Sequence, residues 1–196
     1  MIREAIILAA GEGKRLRPFT EDMPKVMLPI ANKPILEYVI NALAENKIDN
    51  IVIVVGYKKE SIMSYFGNGS KWNINIEYAI QEKQLGTAHA LLQAESFIKG
   101  NEFIVLPGDN VIDKESISRL ISFSSPALII EESEIPSKYG VIEMEENFIK
   151  KIVEKPKSAE SNLISTGIYK FETNVFDLIK DCVKEGKNNL TDVVQK

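Results

Sequence analysis

The chain has 196 residues, and its 24 lysines and arginines against 28 aspartates and glutamates leave a net charge of −4. This negative charge provides no long-range attraction for a polyanion, so we expect no nucleic-acid partner. The single cysteine, Cys182, excludes an internal disulfide and a cluster of thiolate ligands, and we interpret it as a packing residue.

The length of the chain predicts one domain over residues 1–196, large enough to bury a hydrophobic core. Residues 1–4 lead directly into an apolar run and do not resemble a signal peptide. No apolar run has the length that a membrane-spanning helix needs. We therefore expect a cytoplasmic protein without a membrane partner, and a homo-oligomer stays open.

Predicted strands and helices alternate from residue 4 to about residue 130. Residues 5–10 form an apolar run that predicts a buried strand, and residues 35–43 place apolar side chains on one helical face after Pro34. The further predicted strands are 51–56, 74–80, 103–106 and 127–130, and the further predicted helices are 61–66, 88–97 and 117–123. This alternation predicts a Rossmann-like α/β fold with a doubly wound, mostly parallel sheet.

The second half of the chain has a different pattern. Residues 139–144, 148–153 and 164–171 are predicted strands separated by polar turns, and residues 174–183 are a predicted helix. A hairpin or mixed-sheet extension, forming a small lobe at one end of the parallel half, fits this pattern. No linker, repeat or low-complexity tract divides the chain, so we expect two lobes of one domain.

The first predicted strand ends in a segment with the composition of a phosphate-binding loop. The string LAAGEGKRLRP is followed, after five residues, by PKVMLP. Gly11 and Gly13 allow backbone N–H groups to approach an anion closely. Arg15 and Lys25 add a planar guanidinium and a compact ammonium, both suited to phosphate oxygens. These residues predict a phosphate-binding loop.

Two other phosphate-binding motifs do not fit this segment. A dinucleotide-binding fingerprint requires a third glycine where Leu16 stands. A Walker A loop requires a glycine where Leu8 stands and a serine or threonine where Arg15 stands.

The complete segment resembles the signature of sugar-1-phosphate nucleotidylyltransferases, in which L-A-A-G-x-G-x-R-L is followed by P-K-x-M-L-P. The resemblance extends to glucose-1-phosphate thymidylyltransferases and UDP-sugar pyrophosphorylases, and it implies their nucleotide-diphospho-sugar transferase fold. It implies a nucleotide-binding loop that contains Leu8, Ala10, Gly11 and Gly13. It also implies that Arg15 holds the departing pyrophosphate and that Lys25 holds the α-phosphate.

A second segment of the resemblance contains Gln81 and the string LGTAHA. The Gln81 amide offers a donor and an acceptor to a base edge, and Gly86 lets the backbone lie against the ring. We predict that Thr87 is the N-cap of the following helix, and the resemblance implies contacts of this stretch with base and ribose. His89, the single histidine, receives no role at this point.

Asp109 directly follows a predicted buried strand. A carboxylate in that place suits Mg²⁺, which one or two carboxylates and substrate phosphates usually hold. A turn aspartate that caps its own backbone is the alternative. Together with the phosphate-binding loop, the position favours Asp109 as a metal ligand and Mg²⁺ as the cofactor.

Three strings in the second half resemble the sugar-binding motifs of the same family: YGVI, VEKP and TGIY. The resemblance implies that Gly140 lies against the sugar, that Glu154 accepts sugar hydroxyls and that Lys155 holds the sugar phosphate. Thr166 and Gly167 belong to the same sugar-phosphate-binding set. An exposed charged pair at the end of a strand is the alternative for Glu154 and Lys155.

The reaction implied is attack by the phosphate of a sugar 1-phosphate on the α-phosphorus of a nucleoside triphosphate, with UTP or dTTP favoured and pyrophosphate leaving. Guanylyl transfer to mannose 1-phosphate and a cytidylyl- or molybdopterin-type transferase stay open as alternatives. The string NLTDVV resembles a family segment that precedes a second metal ligand, and the chain ends at Lys196. We therefore expect the closing segment of the catalytic domain to be missing, and a nucleotide-binding regulatory module without turnover is a further alternative.

Overall fold

The computed structural model describes residues 2–124 and 126–196, in which strands and helices alternate through the first half. The strands are β1 (Glu4–Ala9), β2 (Pro29–Ile30), β3 (Lys33–Pro34), β4 (Asn50–Val55), β5 (Asn75–Ile80), β6 (Glu102–Pro107), β7 (Ala127–Glu132), β8 (Gly140–Glu145), β9 (Phe148–Glu154) and β10 (Leu163–Glu172). The α-helices are α1 (Ile35–Glu45), α2 (Lys59–Phe66), α3 (Thr87–Leu92), α4 (Lys114–Ser122), α5 (Val175–Lys184) and α6 (Leu190–Gln195). Short 3₁₀ turns include Lys14–Leu16, Lys25–Met27 and Glu95–Phe97. Met1 lies outside the described residues, and it is one of residues 1–4, which we expect not to be part of a signal peptide.

Four neighbouring strands form the parallel half of the sheet, in the order β5-β4-β1-β6. Strands β1 and β4 are apolar along most of their length because helices cover the parallel half on both faces. Their carboxyl ends lie at one edge, which is where ligands bind in sheets of this kind. The doubly wound, mostly parallel sheet predicted from the sequence is confirmed.

Two hydrophobic clusters pack against opposite faces of this sheet. One includes buried residues of α1, α2 and α4, and the other includes buried residues of α3, α5 and α6. Strand β1 contributes to both clusters through alternate residues, with Ile7 in the first and Ile6 in the second. Cys182 of α5 is fully buried in the second cluster, which confirms its interpretation as a packing residue.

The antiparallel half continues the same sheet rather than forming a separate one. Strand β10 pairs with β6 through its second part, with β8 through its first part and with β7 through both parts, and β8 pairs with β9. The register of β10 against β7 shifts between Ser165 and Tyr169, the stretch that contains Thr166 and Gly167. The mixed-sheet extension is therefore confirmed, and an irregularity in β10 marks its junction with the parallel half.

The predicted helix over residues 88–97 is wrong in its extent. Helix α3 ends at Leu92, and the separate 3₁₀ turn Glu95–Phe97 follows it. The Phe97 ring remains partly buried against the second cluster. The apolar spacing that suggests one continuous helix is therefore also compatible with a shorter helix followed by a 3₁₀ turn.

Helix α6 is absent from the elements that the sequence pattern predicts. It begins with a capping box in which the side chains of Asn189 and Asp192 each accept a hydrogen bond from the other's backbone N–H. The helix packs on β9, where the Ile152 N–H donates to Gln195 Oε1 at 2.7 Å. The last turn of the described chain thus covers a backbone donor on β9, the strand at the end of the sheet path.

Within residues 2–124 and 126–196, no helix is long and apolar enough to cross a membrane.

Candidate active site

The loop after β1 is folded tightly around Gly13. Its φ angle is +69°, and a Cβ at this position would lie 2.9 Å from the Lys25 Cβ. Glycine is therefore required, because a side chain would strain the backbone and push against the stem of Lys25. The Gly13 carbonyl also accepts a hydrogen bond at 3.1 Å from the hydroxyl of Thr20, which is fully buried. These contacts fold the segment that carries Arg15 back toward Lys25.

Tyr57, in the loop after β4, holds both ends of this segment. Its N–H donates to the Ala10 carbonyl at 3.1 Å, and its hydroxyl lies 3.1 Å and 2.8 Å from the carbonyl oxygens of Thr20 and Glu21. Sequence reasoning missed Tyr57 and Thr20 because neither residue stands at a position that the nucleotidylyltransferase signature specifies. Their importance depends on a contact between loops about 40 residues apart.

Three of the loop's cations have different environments. Lys14 and Arg17 both form ion pairs with Glu12, whereas Arg15 is exposed and has no ion pair or hydrogen bond among the described residues. Partial desolvation opposes ionisation of Glu12, but the hydrogen bonds and charges of Arg17 and Lys14 outweigh it and lower the pKa of this carboxyl. Glu12 thus neutralises two neighbours and leaves the Arg15 guanidinium for an anion in solution.

Lys25 and Asp109 bring together two loops at the edge of the sheet that is formed by the carboxyl ends of the parallel strands, which we call the parallel edge. The Lys25 Nζ lies 2.5 Å from Asp109 Oδ2, and the two side chains are 38% and 31% exposed. An ion pair this accessible to water contributes little to stability, roughly 0–1 kcal/mol. The Asp109 carboxylate points at a cation of another loop rather than capping its own turn, so the simple turn-aspartate interpretation does not describe its contact.

The donor set around Asp109 fits Mg²⁺ only together with a ligand. No group of three or more histidines, cysteines, aspartates or glutamates that could hold a metal occurs among the described residues. One carboxylate oxygen beside the loop after β1 nevertheless matches the way Mg²⁺ is usually held, by one or two carboxylates and substrate phosphates. The side chain of the next residue, Asn110, donates to the Thr166 carbonyl at 3.0 Å and fixes this loop to β10.

Gln81 lies at the end of β5 with its side chain almost completely buried. Its Nε2 lies 3.2 Å from the Gly86 carbonyl oxygen and 3.0 Å from His89 Nδ1. Gly86 itself has a φ of +150°, and a Cβ there would overlap the Asn188 carbonyl and lie 2.8 Å from its carbon. Gly86 therefore permits the close approach of the segment before α6 to the start of α3.

The prediction that Thr87 is the N-cap of α3 is wrong. Gly86 is the N-cap, because its carbonyl accepts the first helical hydrogen bond from the Ala90 N–H. The Thr87 hydroxyl instead accepts a hydrogen bond at 2.9 Å from the Leu190 N–H. Thr87 consequently connects α3 to α6.

Gly140, Glu154 and Lys155 meet at the β8–β9 hairpin. Gly140 pairs with Glu154 in the ladder, and a Cβ on Gly140 would lie 3.5 Å from Glu154 Oε2 and 2.8 Å from Thr191 Cγ2. The Lys155 Nζ lies 2.6 Å from Glu154 Oε1. A cleft of about 410 Å³ opens between the end of β9 and α6, and its lining includes Glu154, Thr191 and Gln195. Glu154 is the one predicted sugar-binding residue in the lining of this cleft, and the lining does not include Gly140, Lys155, Thr166 or Gly167.

Thr166 and Gly167 lie at the junction of the two halves. The Thr166 hydroxyl donates to the Ile129 carbonyl at 2.7 Å, so it is engaged within the protein. The position of a Cβ on Gly167 would be 3.7 Å from the Pro107 ring at the end of β6. Together with the Asn110 bond to Thr166, these contacts link the Asp109 loop to the antiparallel half.

A family model described as "Nucleotidyl transferase" matches residues 4–196. The chain belongs to this family. The resemblance identified from the loop after β1 and the sugar-side motifs is therefore confirmed at the level of the family.

Curated relatives agree with this assignment. The bifunctional protein GlmU of Methanococcus maripaludis strain C7 is 46% identical over 198 residues, which cover 98% of this chain and 46% of that protein. The UTP–glucose-1-phosphate uridylyltransferase AglF of Haloferax volcanii is 37% identical over 180 residues, covering 88% of this chain and 73% of that protein. The chain spans about half the length of the GlmU relatives that it matches.

Solved structures share the fold. A putative glucose-1-phosphate thymidylyltransferase from Bacillus anthracis, in complex with a sucrose, has a TM-score of 0.87 and 28% identity over 97% of this chain and 80% of that one. A UDP-glucose pyrophosphorylase complexed with UDP-glucose has a TM-score of 0.85 and 30% identity over 100% of this chain and 86% of that one. The Rossmann-like nucleotidyltransferase fold of this chain is thereby confirmed.

Proposed function

We propose that this chain transfers a nucleotidyl group from a nucleoside triphosphate to a sugar 1-phosphate and releases pyrophosphate, with UTP or dTTP as the favoured donor. The contact between Lys25 and Asp109 carries the proposal, because it joins a cation and a carboxylate from two loops at the ligand-binding edge of a nucleotidyl transferase fold. The names of AglF and of the UDP-glucose pyrophosphorylase support a sugar 1-phosphate as acceptor.

In the proposed reaction, a phosphate oxygen of the sugar 1-phosphate attacks the α-phosphorus of the nucleotide. A new P–O bond forms as the bond between the α-phosphorus and the oxygen leading to the β-phosphate breaks, and pyrophosphate departs with that electron pair. The attacking phosphate is already anionic, so no covalent enzyme intermediate is needed. Catalysis then consists of positioning two polyanions and stabilising the charge that develops.

Three cations of the chain have distinct roles in this proposal. Lys25 binds the α-phosphate, the exposed Arg15 binds the departing pyrophosphate, and Lys155 binds the phosphate of the sugar. The role of Arg15 is supported by its lack of an ion-pair partner in the described part of the chain. Lys155 has to exchange its contact with Glu154 for the sugar phosphate, which frees the Glu154 carboxylate for sugar hydroxyls.

We propose Mg²⁺ as the cofactor, with Asp109 as its protein ligand and nucleotide phosphates as the other oxygen donors. When bound, the ion would neutralise part of the phosphate charge. Lys25 would then leave Asp109 and bind the α-phosphate, since its ammonium needs only a short movement in a partly exposed position. Gln81 and Gly86 would bind the base, while Gly140, Thr166 and Gly167 would border the sugar phosphate.

A substrate matrix tests the proposal. Folded chain is incubated with Mg²⁺, one of UTP, dTTP, CTP, ATP or GTP, and one of glucose 1-phosphate, N-acetylglucosamine 1-phosphate or mannose 1-phosphate, and pyrophosphate is measured. Omitting the sugar phosphate controls for simple hydrolysis. We expect pyrophosphate with UTP or dTTP and a glucose-type sugar. Absence of product from every pair would contradict the proposal.

Two other outcomes of the same matrix have definite meanings. Product from GTP and mannose 1-phosphate would replace the favoured donor by the guanylyl alternative. Nucleotide binding in a calorimeter without product from any pair would favour a regulatory binding module.

A further inference from the structure

The 3₁₀ turn Lys14–Leu16 directs the basic side chains of the loop after β1 to different sides. The turn follows Gly13, and the Arg17 N–H closes it on the Lys14 carbonyl at 3.3 Å. A 3₁₀ helix has three residues per turn, so side chains three positions apart leave it on the same side. Lys14 and Arg17 therefore share one side of the turn, and Arg15 leaves it about 120° further around the axis.

Glu12 lies on the side that Lys14 and Arg17 share. Its Oε1 accepts a hydrogen bond from the Arg17 guanidinium, and its Oε2 lies 3.4 Å from the Lys14 Nζ. Each carboxylate oxygen thus has a different cation. The Glu12 side chain is 21% exposed, whereas those of Lys14 and Arg17 are 75% and 52% exposed. The carboxylate is therefore the enclosed member of this group, and the two cations cover it from the side of the solvent.

An acidic side chain at this position is unfavourable for anion binding by itself. Glu12 stands between two glycines of the loop that we propose to hold phosphate groups, and its negative charge opposes theirs. Within residues 2–124 and 126–196, Lys14 and Arg17 form no ion pair except the ones with Glu12. Both side chains are longer than the roughly 3.8 Å between neighbouring Cα atoms, so each can reach an anion held by Arg15 once Glu12 is removed.

We propose that Glu12 is a positioning residue that holds Lys14 and Arg17 away from the pyrophosphate product and so keeps its affinity low enough for release. Each cation that contacts pyrophosphate strengthens its binding. A site that binds triphosphate and product more tightly alike gains no rate once the substrate is saturating. With Glu12 present, Arg15 is the cation of this turn that contacts the product. This inference rests on the proposed function, with Arg15 at the departing pyrophosphate.

The test measures pyrophosphate binding rather than turnover. Dissociation constants of inorganic pyrophosphate are determined by calorimetry with the whole chain and Mg²⁺, for the unaltered protein and for Glu12→Gln. Glutamine keeps the size of the side chain but has no charge, so Lys14 and Arg17 are released. We expect Glu12→Gln to bind pyrophosphate about fivefold more tightly, as the release of two exposed ion pairs allows. Its affinity should also fall more steeply with added salt, because more cations contact the anion.

Two further variants separate the released cations from the loss of one negative charge. Glu21→Gln removes a charge from the same loop, and Glu21 is exposed without an ion pair in the described part of the chain, so we expect affinity within about twofold of the unaltered protein. A triple variant combines Glu12→Gln with Lys14→Gln and Arg17→Gln. It lacks the cations that Glu12 holds, and we expect it to lose the tighter binding.

Equal tightening in Glu21→Gln and Glu12→Gln would overturn the role of Glu12, because any negative charge of the loop would then have the same effect. Tighter binding that persists in the triple variant would overturn it as well, since the released cations would not be its cause.

The remaining outcomes distinguish this inference from the proposed function. If Glu12→Gln binds pyrophosphate with unchanged or lower affinity, the role of Glu12 is overturned, while binding by the unaltered chain still supports a pyrophosphate site. If neither the unaltered chain nor Glu12→Gln binds pyrophosphate, the site proposed for the leaving group fails, and the inference fails with it.

Discussion

The parallel edge and the β8–β9 hairpin bring charges together in different ways. At the parallel edge, Lys25 and Asp109 are 84 residues apart and meet because β1 and β6 are neighbours in the sheet. At the hairpin, Glu154 and Lys155 are consecutive residues whose charged ends are 2.6 Å apart. The first contact exists only in the folded sheet, whereas the second needs little more than a local turn.

The contact between Lys25 and Asp109 therefore depends on the tertiary fold, and the contact between Glu154 and Lys155 depends on it much less. Changes at the parallel edge should alter both the geometry of the reacting phosphates and the packing behind them. Changes at the hairpin should mainly alter the binding of one substrate. The predictions below test this separation.

The largest effect is expected for removal of the pair at the parallel edge. Lys25→Ala and Asp109→Ala should each lower kcat by about 10²-fold or more, because the first removes a cation from the reacting phosphate and the second removes the proposed protein ligand of Mg²⁺. Steady-state rates of pyrophosphate release provide the measurement. Lys150→Ala is the matched control, since Lys150 is an exposed lysine of β9 that pairs with Glu145. A similar loss in the control would show that the effect is not specific to the edge.

A large loss of stability is expected for Gly86→Ala. The added Cβ would overlap the Asn188 carbonyl at a φ of +150°, which should lower the free energy of unfolding by roughly 2–3 kcal/mol. Gly186→Ala is the control, because Gly186 has a φ of +78° but no atom within 4 Å of the place that a Cβ would occupy, so the change adds backbone strain without a clash. Urea unfolding of both variants measures the difference, and equal losses would rule out the steric explanation.

Alkaline pH should destabilise the protein through Tyr169, which lies where β10 pairs with β6. Burial raises the pKa of Tyr169 to about 12, although its hydrogen bond with Ser165 acts in the opposite direction. The folded state therefore retains a proton that the unfolded state releases above a pKa of about 10. The stabilisation is complete below pH 10, and about 2 kcal/mol of it should be lost as the pH rises to 12.

Unfolding free energies at pH 9 and pH 12 test this prediction in the unaltered chain and in Tyr169→Phe. Phenylalanine keeps the ring but has no ionisable hydroxyl, so Tyr169→Phe should lose less stability between pH 9 and pH 12 than the unaltered chain does. Tyr78, whose pKa burial also raises to about 12, is still present in both proteins and contributes equally to each. An identical pH dependence in the two proteins would exclude Tyr169 as a source.

A moderate and selective effect is expected at the hairpin. Lys155→Ala should raise the KM for the sugar 1-phosphate about tenfold, because an exposed charge-assisted contact to phosphate is lost. The affinity for nucleotide should change little, since Lys155 lies on the antiparallel half. A comparable weakening of nucleotide binding would break the separation between the two regions.

The smallest effect is expected for Tyr57→Phe, which removes a hydroxyl from the contact with the loop after β1. The loop should become less well ordered, and the dissociation constant of the nucleotide should rise about threefold. The free energy of unfolding should fall by no more than about 1 kcal/mol. Calorimetric titration and urea unfolding measure the two quantities, and nucleotide affinity equal to that of the unaltered chain would contradict a role for Tyr57 in ordering the loop.

Local patterns are sufficient to predict most of the parallel half. Strands β1 and β4 are continuous apolar runs, and α1 has a clear helical face, so their ends are predicted to within about two residues. Helix α6 escapes prediction because it has only six residues and a weak apolar pattern. The signal present is the capping box formed by Asn189 and Asp192, at the start of the segment that resembles a family motif.

The sequence by itself determined the family and the chemical groups of the candidate site. Gly11, Gly13, Arg15 and Lys25 stand in one short segment, and Asp109 closely follows a buried strand, so the local sequence is sufficient to identify the chemistry of these groups. The assignment of Thr87 as an N-cap is wrong because it depends on a contact that the local sequence does not show. The Thr87 hydroxyl accepts a hydrogen bond from the N–H of Leu190, more than 100 residues later.

The tertiary structure alone decided how these groups are oriented. Tyr57 acts on the loop after β1 across the sheet edge, and His89 contacts the amide of Gln81 through a single ring nitrogen. A hydrogen bond depends on the direction of one atom toward another, and residue order does not specify that direction. The sequence therefore identified candidate side chains of the site, and the fold decided which of their atoms meet which partners.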